Sequence, residues 1–167
     1  KKIAMNGNVS AQIRLGRMFI SGDGVEESIP EALKWFTMAA EEGNTTAMIA
    51  VGNIHEYSEG PEKNDSLAME WYTKAADAGD IDALVTIANC HYLGSIVEKD
   101  IDKAIELYQK AAMEGNSNVC LTLCSIYLEK EDLEKAEHWL KHGAMLEDAK
   151  AMYALGTFYL EFKQDNK

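Results

Sequence analysis

The chain has 167 residues, 28 of them acidic and 16 basic, for a formal net charge of −12 at neutral pH. Nucleic-acid binding depends mainly on neutralising phosphates with Lys and Arg, so this balance excludes DNA, RNA and anionic membranes as expected partners and favours a basic protein surface. No run of apolar residues approaches the ~18–20 needed to span a bilayer.

In chain order, Ile3-Ala4-Met5-Asn6-Gly7-Asn8 matches the ends of later segments, so 1–9 reads as the tail of a preceding repeat. A first helix is predicted over 10–21, with Ile13, Leu15, Phe19 and Ile20 among the small residues Ala11 and Gly16. Gly22-Asp23-Gly24 breaks it. A second helix is predicted over 30–42, where Ala32, Trp35, Phe36 and Ala39 lie at helical spacing on one face. Ser28 and Glu31 form a capping box before it, and Pro30 suits a first helical turn. Gly43 supplies the left-handed residue that ends a helix, and Asn44-Thr45-Thr46 offers the next N-cap. The same signals predict helices at 46–58, 66–78, 82–93, 101–114, 118–130, 132–147 and 149–162. No segment alternates like a strand, so the expected class is all-α.

The helices repeat. Ala-Ala-x-x-Gly-(Asn/Asp) occurs at Ala39–Asn44, Ala75–Asp80 and Ala111–Asn116, each copy 36 residues after the last. Such a period marks a stack of supersecondary units, each too small to bury its apolar face without a neighbour. Trp35, Trp71 and Leu107 share a phase, followed directly by Phe36, Tyr72 and Tyr108; Ala136, Trp139 and Leu140 continue the rows four residues early. Gly16, Gly52, Ala88, Cys124 and Gly156 form a small-residue row on the first helices, where a neighbouring helix must come close. The aromatic rows fill the wider gaps as core. The repeats then run 10–46, 47–82, 83–118 and 119–150, with 151–167 as the first helix of a fifth. A chain that starts partway through a repeat reads as a piece of a longer array.

The pattern Ala-x-x-x-Leu-Gly-x-x-Phe-x-x-Gly-x-Gly-Val (Ala11–Val25), followed by Ala-x-x-Trp-Phe-x-x-Ala-Ala-x-x-Gly-Asn (Ala32–Asn44), resembles the Sel-one-like repeat family, relatives of the tetratricopeptide repeat. The resemblance implies an α/α superhelical solenoid of antiparallel helix pairs and a role as adaptor or scaffold; it implies no reaction and no cofactor. The fourth repeat departs from the pattern. Its loop is cut to about Glu129–Asp132, Gly143-Ala144 stands for Ala-Ala, and Glu147-Asp148 replaces the Gly-Asn end, which leaves continuity of the helix rows near Glu147 as the open point.

A catalytic or metal-dependent alternative would draw on His55 and His91, 36 residues apart, or on Glu134, His138 and His142 at i, i+4 and i+8. The first pair falls at the phase of Phe19, Tyr127 and Tyr159 and reads as core filler with one hydrogen bond each. The second set lacks a further ligand or a nearby general base in sequence, so no metal site is expected. Cys90, Cys120 and Cys124 fall at apolar or small core phases and cannot staple every repeat. Free core thiols fit a reducing, cytoplasmic compartment; the start within a repeat leaves a removed signal peptide, and so secretion or the periplasm, open. Asn8, Asn44 and Asn64 match glycosylation acceptors but stand in expected turns.

In tetratricopeptide-like superhelices the first helix of each pair lines a concave groove. With Leu15, Gly16 and Phe19 on the buried side, the groove side carries Ile13, Arg17 and Ile20. The corresponding sets are Ile49, Asn53, Glu56 and Tyr57; Val85, Asn89 and Tyr92; Leu121, Ser125 and Leu128; and Tyr153, Thr157 and Leu160. Apolar anchors alternate with amides and hydroxyls able to hold an extended peptide. Arg17 alone is too little for clasping a terminal carboxylate. The sequence therefore points to a non-enzymatic module binding a protein or peptide in its groove. The alternative within the binding class is an acidic inhibitor, such as an immunity protein, that neutralises a basic toxin or nuclease.

Overall fold

The computed structural model describes Ala4 and residues 7–162. The expected repeat tail at 1–9 and the end of the expected fifth-repeat helix thus lie partly outside the described residues. Within them the chain forms α1 (Val9–Ser21), α2 (Ile29–Glu41), α3 (Thr45–Tyr57), α4 (Asp65–Asp77), α5 (Ile81–Leu93), α6 (Ile101–Met113), α7 (Asn118–Glu129), α8 (Leu133–Met145) and α9 (Ala149–Phe162), with no strand. None of these helices is long and apolar enough to cross a membrane. The chain divides into two compact units with the boundary between Lys99 and Asp100. In the first, α1 packs on α2, α2 on α3, α3 on α4 and α4 on α5; in the second, α6 packs on α7, α7 on α8 and α8 on α9. Each unit is a run of helical hairpins, the construction of an α/α solenoid.

Local chemistry sets where the helices begin. Asn8, Asn44, Asn64, Asp80, Asp100, Asp132 and Asp148 each accept a hydrogen bond from a backbone N–H three residues on, at 2.8 to 3.0 Å. This satisfies one of the orphan donors at each helix start. The three glycosylation-like asparagines are therefore caps. The expected Ser28 capping box is half formed. Ser28 Oγ accepts from Glu31 N at 3.3 Å, but the Ser28 amide donates to Phe19 O, and the Glu31 side chain instead pairs with Lys34.

The turns between repeats share one geometry. Gly43 N donates to Ala40 O and Asn44 N to Ala39 O; the same pair of bonds recurs at Gly79–Asp80 and Gly115–Asn116. The fourth repeat keeps it without a glycine: Glu147 N donates to Ala144 O, Asp148 N donates to Gly143 O, and Glu147 itself takes φ 60°. The helix rows therefore continue past Glu147, at the expense of a left-handed conformation that L side chains disfavour.

The cores follow the predicted rows, with one correction. Phe36, Tyr72, Tyr108 and Leu140 are buried, as are Trp35 and Trp139. Each burial of this size contributes roughly 1.5–3 kcal/mol. Trp71, expected as an inter-helix core residue, is only half-buried: one side lies on the first unit's core, and Lys74 Nζ stands 4.2 Å from the ring centroid on α4's outer surface. The small-residue row has a clear cause at Gly52, where a Cβ would lie 2.7 Å from Tyr72 Cδ1. Only a residue without a side chain lets Tyr72 lie flat across α3.

Candidate functional site

The first helices present their exposed faces next to one another, and this creates clefts. In the first unit Arg17 and Ile20 of α1 face Thr46, Ala50, Asn53 and Ile54 of α3 across a floor made by Phe36 of α2, enclosing about 310 Å³. Ile20, Asn53 and Ile54 also border a larger cleft of about 850 Å³. Its other walls are Tyr57, the α1–α2 connection at Glu27 and Ser28, the start of α2 at Ile29 and Pro30, and the α3–α4 connection at Ser58, Glu59, Gly60 and Glu62.

The second unit builds the same small cleft from repeat-equivalent positions. Leu121, Cys124, Ser125 and Leu128 of α7 face Ala154, Thr157, Phe158, Glu161 and Phe162 of α9 over Leu140 of α8, enclosing about 210 Å³. Arg17, Ile20, Phe36, Ala50, Asn53 and Ile54 thus have as counterparts Ser125, Leu128, Leu140, Ala154, Thr157 and Phe158. A cleft that recurs with the repeat is a consequence of the fold, and its chemistry differs only in which side chains fill fixed places.

Of the residues expected on a groove, Arg17, Ile20, Asn53 and Tyr57 meet in the first unit, and Leu121, Ser125, Leu128 and Thr157 meet in the second. Ile13 and Ile49 are half-buried against the first unit's core. Val85, Asn89 and Tyr92 lie on α5 outside these clefts, where Lys99 Nζ approaches the Tyr92 ring to 5.7 Å. Tyr153 and Leu160 are exposed on α9, also outside them. Glu56 differs most from the expectation. It is 7% exposed and turned inward, with Oε2 2.8 Å from the Tyr72 hydroxyl and Oε1 accepting from Ser95 Oγ at 3.2 Å. Its place in the groove row put it among polar candidates; the buried tyrosine opposite draws it into the core.

That tyrosine also orients Asn53. The Tyr72 hydroxyl lies 2.8 Å from Asn53 Oδ1 as well as from Glu56 Oε2. It has one hydrogen to give, and a carboxylate is the stronger acceptor. The Asn53 side-chain carbonyl also faces the buried phenol. Burial, then the hydrogen bond and charge of Glu56, push the Tyr72 hydroxyl far above its ordinary value of 10.0, so it stays protonated.

Three of the histidines make defined contacts, whereas the Nδ1 of His91, expected to form one hydrogen bond, is buried without a partner among the described residues. His55 is 8% exposed, and its Nδ1 lies 2.6 Å from Glu62 O; a carbonyl only accepts, so Nδ1 carries the hydrogen. Asn64 N donates back to His55 O at 2.8 Å, so the α3–α4 connection is fastened to α3 at one residue. His138 and His142 flank Trp139 edge-on, and His142 Nε2 lies 3.3 Å from Ala112 O. Among the described residues no group of three or more His, Cys, Asp and Glu converges as a metal site would require. Cys90, Cys120 and Cys124 are buried and unbridged. Burial, and then the Glu56 charge, raise the Cys90 thiol to about 11; burial, and then Asp148, do the same for Cys120.

The helical phases alone could not show the loop side of the larger cleft. Glu27, Glu59 and Glu62 stand in connections, and their only sequence signal is an acidic character in loops longer than the three-residue one between α7 and α8.

Comparison with known proteins gives one family. The Sel1 repeat model matches residues 9–44, 45–80, 82–116, 123–148 and 149–163. A Sel1 repeat protein from Oxalobacter formigenes is 33% identical, with a TM-score of 0.77, over 99% of this chain and 71% of its own. A protective antigen of uropathogenic Escherichia coli displaying an SLR fold is 25% identical, with a TM-score of 0.64, over 95% of this chain but only 43% of its own. A Pseudomonas aeruginosa protein at 18% identity and a TM-score of 0.53, over 95% of this chain and 70% of its own, shares the fold alone. No curated protein matches the chain.

Proposed function

The chain belongs to the Sel1 repeat family, and on that premise we propose that it is an interaction module whose first-helix clefts each hold an extended segment of a partner protein. Sel1 repeat proteins generally act as protein-interaction scaffolds, and the fold is typically a non-catalytic module. The observation that carries the reading is the recurrence of one cleft, with Phe36 and Leu140 as equivalent apolar floors and Asn53 and Thr157 as equivalent polar walls. An apolar floor takes a side chain, while an amide or hydroxyl beside it fixes the segment's backbone; affinity and register then come from the same few residues. The E. coli and O. formigenes proteins are longer than this chain, so what the whole proteins bind is a separate matter.

The test is a peptide selected from a random display library on the full chain, its affinity then measured calorimetrically. Asn53→Ala combined with Ile20→Ala should weaken a peptide seated in the first unit by about 1–3 kcal/mol, whereas Lys34→Ala, exposed on α2, should leave it unchanged. A peptide indifferent to cleft substitutions in both units, Asn53→Ala with Ile20→Ala and Thr157→Ala with Leu128→Ala, would remove the proposal.

A further inference from the structure

We infer that the larger cleft of the first unit anchors a partner segment that sets a Lys or Arg side chain beside an aliphatic one; this rests on the reading of the clefts as binding sites. Its apolar surface comes from Ile20, Ile29, Pro30 and Ile54, and its loop side carries the carboxylates of Glu27, Glu59 and Glu62. None of those carboxylates belongs to an ion pair among the described residues. Lys63, the cation of the α3–α4 connection, could have neutralised them but is turned away: its Nζ donates to Glu56 O at 2.8 Å and pairs with Asp65 at 3.1 Å.

A neutral group complements the same charge. Tyr57 is 72% exposed and offers a ring face at the cleft wall, a surface that attracts ammonium and guanidinium groups. The loop side is also held in place before any partner arrives. His55 Nδ1 donates to Glu62 O, Asn64 N to His55 O, and Lys63 N to Gly60 O at 3.1 Å. A connection whose backbone is already fastened leaves less ordering to offset when a cation binds.

The two joined clefts are electrically polar, and this sets the direction of the segment. Arg17 lines only the small cleft and the three carboxylates line only the large one. The basic residue therefore lies toward the connections, and a neutral or acidic part of the segment lies toward Arg17.

The experiment selects a random peptide library on the unmodified full chain and on a Glu27→Gln, Glu59→Gln, Glu62→Gln variant of equal side-chain size. The unmodified chain should enrich Lys or Arg next to an aliphatic residue, and the variant should lose the basic preference. The leading peptide should bind the variant about tenfold more weakly, the combined effect of three partly exposed ion pairs. Replacing its basic residue by norleucine should cost a similar factor on the unmodified chain and almost nothing on the variant. Selected peptides that weaken with Ile20→Ala but carry no basic residue and ignore the triple variant would overturn the basic anchor and leave the cleft reading standing. Peptides indifferent to Ile20→Ala, to Leu128→Ala and to the triple variant would overturn both.

Discussion

The hydroxyl of Tyr72 lies 2.8 Å from Glu56 Oε2, so a second helix fixes the polar face of the first helix it packs against. Tyr72 is fully buried, and the Glu56 carboxylate it meets also takes the Ser95 hydroxyl from the α5–α6 connection. One buried carboxylate thereby joins α3, α4 and the α5–α6 connection.

Tyr72→Phe should keep the ring packing and remove that donor. Glu56 would be left buried with fewer hydrogen bonds, so stability should fall by about 1–3 kcal/mol in urea denaturation, with helix content unchanged in the native baseline. Peptide affinity at the first unit should fall as well, because Asn53 loses its partner. A variant as stable as the parent would mean that the network does not hold these helices together.

Gly52→Ala and Gly156→Ala occupy the same row and should behave differently. At Gly52 a Cβ meets the buried Tyr72 ring, and overpacking of that kind costs about 1–3 kcal/mol. At Gly156 nothing lies within 4 Å, so alanine should be neutral or stabilising by up to about 1 kcal/mol through helix propensity. Paired thermal melts decide it; equal destabilisation would show that the row is not set by close approach.

Glu147→Gly tests the strained turn of the fourth repeat. Glu147 holds φ 60° where the other repeats have glycine at 84°, 88° and 100°. Relief of the left-handed strain should raise stability by about 1 kcal/mol, against a smaller loss from the more flexible unfolded chain. A lower unfolding midpoint would contradict this.

The thiols predict an alkaline limit. The folded state holds Cys90 and Cys120 protonated to about 11, from an ordinary value of 9.0, so between those values the unfolded chain binds fewer protons than the folded one. The thiols' contribution should be constant below pH 9 and be lost as pH rises toward 11. A Cys90→Ala, Cys120→Ala variant, although less stable at neutral pH, should show a shallower fall. Hydrogen bonds donated to Asp132 and Glu137 raise Lys135 and Lys141, which adds to the loss at still higher pH. In the native protein neither thiol should react with an alkylating reagent at pH 8. Rapid native alkylation would place them at the surface.

Most of the fold was legible because a repeat states its rules several times. Asn44, Asp80 and Asp148 cap equivalent helices, and Phe36, Tyr72, Tyr108 and Leu140 fill equivalent gaps, so periodicity alone placed them. The misses come from residues whose surroundings break the period. Trp71 shares its row with the buried Trp35 but lies on a face that Lys74 only partly covers. Glu56 shares its row with Ile20 and Leu128, yet the hydroxyl that replaces Phe36's bare ring at Tyr72 draws it inward. The acidic wall at Glu27, Glu59 and Glu62 belongs to connections, where no helical phase says which way a side chain faces.

The most direct test of the clefts as binding sites is the backbone amide spectrum of the isotope-labelled chain during titration with a library-selected peptide. Shifts should be concentrated at Arg17, Ile20, Asn53, Ile54 and Tyr57 in the first unit, or at Ser125, Leu128, Thr157 and Phe158 in the second. Shifts confined to second-helix surfaces, around Lys34, Thr73 or Lys110, with the cleft residues unmoved, would contradict binding in the clefts.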